Sequence, residues 1–119
     1  MSFQSLQVWT KSKELAVRIY KESIKSKEFK VDFSFRDQIR RAAVSVPSNI
    51  AEGYEMGTNK HSIHHFNVAK GSCAELITQI IIAHDIGYLT DQIARDLIDD
   101  ANHALAMLKN LIRSRKKYL

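Results

Sequence analysis

The sequence predicts an all-α protein, an antiparallel up-down-up-down four-helix bundle formed by one domain of residues 1–119. The chain contains only one proline and four glycines, so long helices are seldom interrupted. Apolar residues recur at spacings of three and four in four successive segments, with polar residues between them. The links between these segments are short, which favours consecutive helices that lie side by side in opposite directions.

The first predicted helix carries an apolar stripe that starts at Leu6 and Trp9 and continues through Ile19 and Tyr20. We expect it to end near residues 25–27, where lysines suit the negative end of the helix dipole. The following stretch, KSKEFKVDF, is rich in charged residues and is predicted to be a polar connection.

The second predicted helix spans residues 34–55, and its apolar stripe passes through Pro47 without losing register. Ser34 is expected to cap this helix, with Asp37 three residues on in an approximate capping box. We therefore predict one helix that is kinked near residues 43–47. A clean break, with Ser45 capping a new helix, is the alternative.

An interior proline costs a helix about 3 kcal/mol, because one backbone hydrogen bond is lost and the ring clashes with the preceding turn. Set against a total stability of about 5 to 15 kcal/mol, that cost calls for compensation. Small residues that include Gly53 surround Pro47, so the bend is expected to let another helix approach closely. Asn49 and Glu52 are expected to bind groups of a neighbouring helix, with a catalytic carboxylate as the alternative.

The third predicted helix starts near Lys60 and ends at Gly87, a residue type that readily adopts the left-handed conformation that closes helices. Gly71 lies inside this helix, where glycine costs up to about 1 kcal/mol relative to alanine, so close contact with another helix is expected there. The fourth helix is predicted to follow Thr90, which caps it, with Asp91 in its first turn.

Composition and charge narrow the class of protein. No apolar stretch is long enough to span a bilayer and the N-terminus lacks a signal-peptide pattern, so neither membrane insertion nor export is expected. Cys73 is the single cysteine, and its apolar neighbours predict a buried thiol and a cytoplasmic location. The net charge of +5 and the pI near 9.4 favour a polyanionic partner, or they simply keep the protein soluble.

Catalytic and metal-binding patterns are weak. His61 and His65 are one turn apart, a spacing that permits a shared metal ion, but no third ligand is apparent. The sequence has no phosphate-binding glycine loop and no nucleophile with an adjacent base. We therefore expect no enzyme activity, no metal and no other cofactor.

Basic residues are concentrated near the C-terminus, where no acidic residue separates them. We predict that this pole binds nucleic-acid phosphates, with a merely solvated tail as the alternative. In an antiparallel bundle the start of the first helix lies at the same pole, so two of its lysines are expected to assist. The predicted contacts are Lys11, Lys13, Lys109, Arg113, Arg115, Lys116 and Lys117.

Three stretches, QIRRAAVSVPSNIAEGYEMG, FNVAKGSCAELITQIIIAHDIGYL and LQVWTKSKELAVRIY, resemble the 23S rRNA-intervening-sequence protein family over nearly the whole chain. The resemblance implies four-helix protomers that assemble as a barrel-shaped homopentamer without enzyme activity. The chain is also similar to the accessory protein of diversity-generating retroelements, whose basic barrel binds a reverse transcriptase and nucleic acid. The residues expected to support the fold or the oligomer are Arg40, Arg41, Pro47, Asn49, Glu52, Gly53 and Gly71.

The sequence therefore predicts a basic homo-oligomer that binds nucleic acid through one pole, with RNA as the expected ligand. A protein-binding scaffold or accessory subunit that does not contact nucleic acid is the alternative, and its partner would be a reverse transcriptase or another protein. Neither hypothesis involves a membrane.

Overall fold

The computed structural model describes residues 2–119, which form five α-helices and no β-strand. The helices are α1 (Gln7–Lys25), α2 (Lys27–Val31), α3 (Phe33–Glu55), α4 (Asn59–Asp85) and α5 (Asp91–Lys116), preceded by one 3-10 turn at Phe3–Ser5. The prediction of an all-α protein is confirmed. The predicted helix count was wrong by one, because α2 lies where a polar connection was expected.

Helix α2 is supported by a cap at its start and by the burial of one of its two apolar side chains. The Ser26 hydroxyl accepts a hydrogen bond from the backbone N–H of Phe29 at 3.3 Å, which caps the helix. Phe29 is buried, and its ring centroid lies 5.5 Å from that of Phe35 and 5.1 Å from that of Tyr88. A five-residue helix is not stable alone, so this aromatic contact is what holds it.

The cap of α3 also differs from the prediction. Asp32 rather than Ser34 takes the cap position, and its Oδ1 accepts a hydrogen bond from the backbone N–H of Phe35 at 3.2 Å. The second carboxylate oxygen accepts a hydrogen bond from the Tyr88 hydroxyl at 2.8 Å, so Asp32 joins the start of α3 to the segment after α4. The predicted cap of α5 is confirmed, because Thr90 Oγ1 accepts from the backbone N–H of Ile93 at 3.3 Å.

Helix α3 runs from Phe33 to Glu55 through Pro47 without a break. The prediction of a single helix is confirmed, and the alternative of a clean break with a new cap at Ser45 is wrong. Pro47 is buried in the core, so the ring that costs a backbone hydrogen bond also contributes apolar burial. The kink itself stays a prediction.

Helices α1, α3, α4 and α5 are long, and each of them contacts two of the other three. Their apolar faces share one core, in which the largest buried side chains include Ile39, Ile50, Leu76, Ile80, Leu97 and Leu108. A smaller apolar cluster of Ile63, Phe66 and Ile112 joins the first half of α4 to the end of α5. None of the helices within residues 2–119 has the length and apolar character needed to cross a membrane.

Two glycines that were expected to allow close helix contact behave differently. A Cβ atom on Gly53 would lie 2.6 Å from Cε1 of Phe66, so α3 and α4 approach closely there and only glycine fits. A Cβ atom on Gly71 would meet nothing within 4 Å, so the expected close contact at Gly71 is wrong within this chain. Gly87 ends α4 with a φ of +87°, the left-handed conformation that was predicted.

Candidate polyanion-binding surface

Positive charge is concentrated on two helical segments that pack against each other. The chain has 18 Lys and Arg and 13 Asp and Glu; residues 59–74 and 101–119 hold seven of the cations and none of the acids. The rest of the chain therefore has eleven cations against thirteen acids. We name these two segments the basic α4–α5 end; its cations are Lys60, Lys70, Lys109, Arg113, Arg115, Lys116 and Lys117.

Apolar contacts hold the last turns of α5 on the first half of α4. Ile112 is buried against Ile63 and Phe66, in the smaller apolar cluster. The Arg115 guanidinium carbon lies 5.7 Å from the centroid of the Phe66 ring, and Arg115 Nη1 donates a hydrogen bond to Asn59 Oδ1 at 3.4 Å. These contacts give the cations of α5 a defined position relative to those of α4.

Four of the cations line one cleft between α4 and α5. The cleft has a volume of about 210 Å³ and is lined by Lys70, Lys109, Ile112, Arg113 and Lys116, without an acidic residue. Arg113 donates a hydrogen bond to Asn110 Oδ1 at 3.3 Å. Lys70, Lys109 and Lys116 make no ion pair within residues 2–119, so their charges remain available to an anion.

Sequence reasoning missed Lys70, because it lies on a different helix and far from the tail along the chain. The signal that would have found it is the absence of acidic residues from the first half of α4, which matches the acid-free stretch of α5. Once the two helices are known to pack together, the two stretches become a single surface.

The structure does not place Lys11 in the cleft between α4 and α5. Lys11 Nζ lies 3.0 Å from Asp100 Oδ1, and at about 1.5 Å per residue Asp100 is about 20 Å along α5 from Arg113. The charge of Lys11 is already balanced by that carboxylate, whose other oxygen lies 3.7 Å from Arg18. Lys13 is exposed on α1, two residues further along from Lys11. The two α1 lysines are therefore separate from the cleft.

A polar network joins α3 to α4 beside the basic α4–α5 end. Asn49 Nδ2 donates to the Ser45 carbonyl at 2.9 Å, and the Ser45 and Ser72 hydroxyls are hydrogen bonded at 2.8 Å. Asn49 Oδ1 and Glu52 Oε2 lie 3.2 and 3.3 Å from His65 Nδ1. Asn49 and Glu52 therefore contact a neighbouring helix, and His65 is engaged by them. No group of three or more potential ligands within residues 2–119 is placed to hold a metal ion.

The two arginines singled out near the start of α3 differ in their surroundings. Arg40 Nε donates a hydrogen bond to Ser23 Oγ at 2.8 Å, and its guanidinium carbon lies 4.7 Å from the centroid of the Tyr20 ring. Arg40 therefore joins α3 to α1. Arg41 is exposed.

Cys73 lies in the core as predicted. Its side chain is fully buried, and Sγ donates a hydrogen bond to the Ala101 carbonyl at 3.3 Å. Burial raises the pKa of the thiol to about 11, because the thiolate would lose its solvation. This thiol therefore packs in the core as an apolar group and is a poor nucleophile.

Comparisons with known proteins agree with the all-α fold. A family model described as 23S rRNA-intervening sequence protein matches residues 4–110, a range that includes Lys70 and Lys109 and ends before Arg113. The chain is also similar to a crystal structure described as a protein of unknown function from the S23 ribosomal protein family of Bacteroides thetaiotaomicron VPI-5482. That pair has 25% identity and a TM-score of 0.82 over 89% of this chain and 95% of the other. No curated protein sequence is significantly similar to this chain.

Proposed function

The chain belongs to the 23S rRNA-intervening sequence protein family, and on that premise we propose that it is a non-enzymatic protein that binds RNA through the basic α4–α5 end. The observation that carries the proposal is the packing of two acid-free, cation-bearing segments against each other. RNA is the polyanion we infer, because the family description links its members to ribosomal RNA. Phosphate attraction is then the main source of affinity.

This binding is expected to tolerate different RNA sequences. Base-specific recognition of single-stranded RNA needs exposed aromatic side chains and hydrogen bonds to base edges. At the basic α4–α5 end Tyr118 is exposed, whereas Phe66 is buried beneath Arg115. Affinity should fall steeply with salt, with a logarithmic slope of about 0.7 to 0.9 for each phosphate contact.

We further propose that the long helices form an antiparallel up-down-up-down bundle. Ion pairs support this arrangement, because Lys11 lies by Asp100 while Arg18, later in α1, contacts the earlier Asp96 at 3.4 Å. The hydrogen bond from Arg115, near the end of α5, to Asn59, at the start of α4, supports the same orientation for that pair.

We also propose that the protein works as a homo-oligomer, and the number five rests on the family resemblance alone. Support comes from large apolar side chains that this chain leaves exposed. Val17, Tyr20 and Ile24 recur along one face of α1, and Ile81 and Ile82 are exposed on α4. A symmetric oligomer that gathers the basic ends on one rim would raise the effective concentration of weak phosphate contacts.

Paired triple variants test the RNA proposal. One changes Arg113, Lys116 and Lys117 to glutamine and leaves Arg115 intact, because Arg115 contacts Phe66 and Asn59. The control removes the same charge elsewhere by changing the exposed residues Lys21, Lys27 and Lys30 to glutamine. Affinity for structured and single-stranded RNA is measured from low to physiological salt.

We expect the first variant to bind more weakly and to lose about 2 to 3 from its logarithmic salt slope, since three contacts are removed. The control variant should keep most of its RNA affinity and most of its salt slope. Equal losses in the two variants would contradict a localised site and indicate a nonspecific effect of net charge. Failure of the unmodified protein to bind either RNA at low salt would favour an accessory protein whose partner is another protein.

Light scattering at micromolar concentration tests the oligomer separately. A homo-oligomer should give a mass several times the 13.6 kDa of one chain. A single species of 13.6 kDa would contradict the proposal.

A further inference from the structure

The cleft between α4 and α5 brings basic residues of two helices to one place on the surface. Its cations come from two helices, Lys70 from α4 and Lys109, Arg113 and Lys116 from α5. We propose that this cleft binds one phosphate group and that Lys70 is its contact on the α4 side. The inference rests on the proposed function in that RNA supplies the phosphate, either from its backbone or from its 5′ end.

The cleft is fixed in shape by apolar packing beneath it. Ile112 lines the cleft, and it is buried against Ile63 and Phe66 of α4. Because this contact ties α5 to α4, the helix segments that carry the cations keep their relative positions before an anion arrives. Such preorganisation of the two helices lowers the cost of binding, since less helix motion has to be lost.

The cations supply complementary chemistry for phosphate. The Arg113 guanidinium presents a planar fork of N–H donors that matches two phosphate oxygens, whereas each lysine acts as a compact charge. No acidic side chain lines the cleft to compete for these donors. A volume of about 210 Å³ admits a phosphate with part of its attached sugar, while the rest of the RNA lies outside.

Charge favours the 5′ end as the source of this phosphate. A phosphate monoester carries about −1.5 to −2 charges at pH 7, whereas a backbone diester carries one. The four cations that line the cleft therefore attract a terminal monoester more strongly than an internal diester. We expect RNA with a 5′-phosphate to bind about fivefold more tightly than the same RNA with a 5′-hydroxyl, the effect of roughly one unit charge at contact distance in water.

The first test uses inorganic phosphate, titrated at constant ionic strength with chloride as the reference anion. Backbone ¹H–¹⁵N signals of Lys70 and Arg113 should shift together and saturate, because one ion contacts both helices. Lys70→Gln should weaken this binding about fivefold, by the same estimate for one unit charge, and Lys70→Arg should retain it. Lys27→Gln removes an equal charge from an exposed site on α2 and should leave it unchanged. Linear shifts, or equal behaviour of Lys70→Gln and Lys27→Gln, would overturn the proposal.

The second test compares two oligoribonucleotides that differ only in having a 5′-phosphate or a 5′-hydroxyl. A fivefold preference that Lys70→Gln lowers and Lys27→Gln keeps assigns the cleft to the RNA terminus. If there is no preference but Lys70→Gln weakens both RNAs more than Lys27→Gln does, the cleft binds a backbone phosphate. If Lys70→Gln and Lys27→Gln have the same effect on both RNAs, the cleft does not contact RNA phosphate and the proposal is wrong.

The outcomes separate this inference from the proposed function. RNA binding with a steep salt slope, without any specific effect of Lys70→Gln, would keep the proposed function and overturn the cleft. Saturable binding of inorganic phosphate that Lys70→Gln weakens, without RNA binding, would keep an anion site and overturn both its assignment to RNA and the proposed function.

Discussion

Gly53 and Phe66 are in contact at the crossing of α3 and α4, so that a Cβ atom on Gly53 would lie 2.6 Å from Cε1 and 2.8 Å from Cδ1 of the ring. Phe66 is fully buried, and because protein interiors are close-packed, a shift of its ring would displace its neighbours. The same ring lies beneath Arg115 and beside Ile112. The close approach of the two helices at Gly53 therefore also supports the basic α4–α5 end.

Replacing Gly53 with alanine should destabilise the protein. Overpacking a core costs about 1 to 3 kcal/mol, whereas alanine gains at most about 1 kcal/mol over glycine in helix propensity. The net loss should be up to about 2 kcal/mol in the free energy of unfolding, measured with urea. Gly71→Ala is the matched control, because its Cβ meets nothing within 4 Å, and it should stabilise the protein. Equal effects of the two substitutions would contradict the close contact at Gly53.

Replacing Pro47 with alanine should leave the protein folded and make α3 straighter. The substitution restores a backbone hydrogen bond to the Ala43 carbonyl and removes a clash, which together are worth about 3 kcal/mol. It also removes buried ring carbons, a loss of about 1 to 2 kcal/mol. We expect a net gain of about 1 to 2 kcal/mol in unfolding free energy and a changed mass in light scattering. Ser48→Ala, at an exposed position of α3, is the control. An unchanged mass for Pro47→Ala would mean that the proline serves the core of one chain and not assembly.

Cys73 should resist thiol reagents as long as the protein is folded. The pKa of about 11 leaves about one thiolate in a thousand at pH 8, and the buried Sγ is out of reach of a reagent. Reaction with a chromogenic disulfide should therefore be slow in buffer and fast in denaturant. Fast labelling in buffer would show that α4 and α5 separate locally around this residue. Gly53→Ala should speed labelling if its destabilisation increases such opening.

His84 should titrate above its ordinary pKa. Its Nε2 contacts Asp91 Oδ1, and this hydrogen bond is the main cause of the raised pKa; Asp85 Oδ1, 3.3 Å from Nδ1, adds to it. A raised pKa stabilises the folded state fully below the unfolded value of about 6.5, and this contribution is lost as pH rises through the folded pKa. NMR titration should therefore give a pKa above 6.5. Asp91→Asn should lower the His84 pKa more than Asp85→Asn does, and the reverse order would contradict the assigned cause.

The four long helices follow from local patterns in the sequence. A stripe of apolar residues at spacings of three and four depends on nothing outside its own segment, and the cap at Thr90 is equally local. The continuity of α3 through Pro47 was also predictable, since the apolar stripe keeps its register across the proline.

Features that need two distant segments were not predictable in this way. Phe29 of α2 packs against Tyr88, and Asp32, which caps α3, also accepts a hydrogen bond from the Tyr88 hydroxyl. Tyr88 follows α4 and is far along the chain from both residues, so the local sequence does not reveal it as their partner. Gly71 was expected to lie in a close helix contact. The sequence did not show that Gly71 is on a face of α4 where a Cβ atom meets nothing within 4 Å.

In the candidate site, too, some features follow from the sequence and others depend on the tertiary structure. Sequence alone determined that the C-terminal cations Lys109, Arg113 and Lys116 stand without acidic neighbours, because charge order along a chain is a property of the sequence. The tertiary structure decided that Lys70 joins them in one cleft while Lys11 pairs with Asp100, since helix packing sets which charges meet. Coulomb attraction depends on the distance between charges in space and not on their separation along the chain. The charged partners of Lys70 and Lys11 are therefore set by the folded structure.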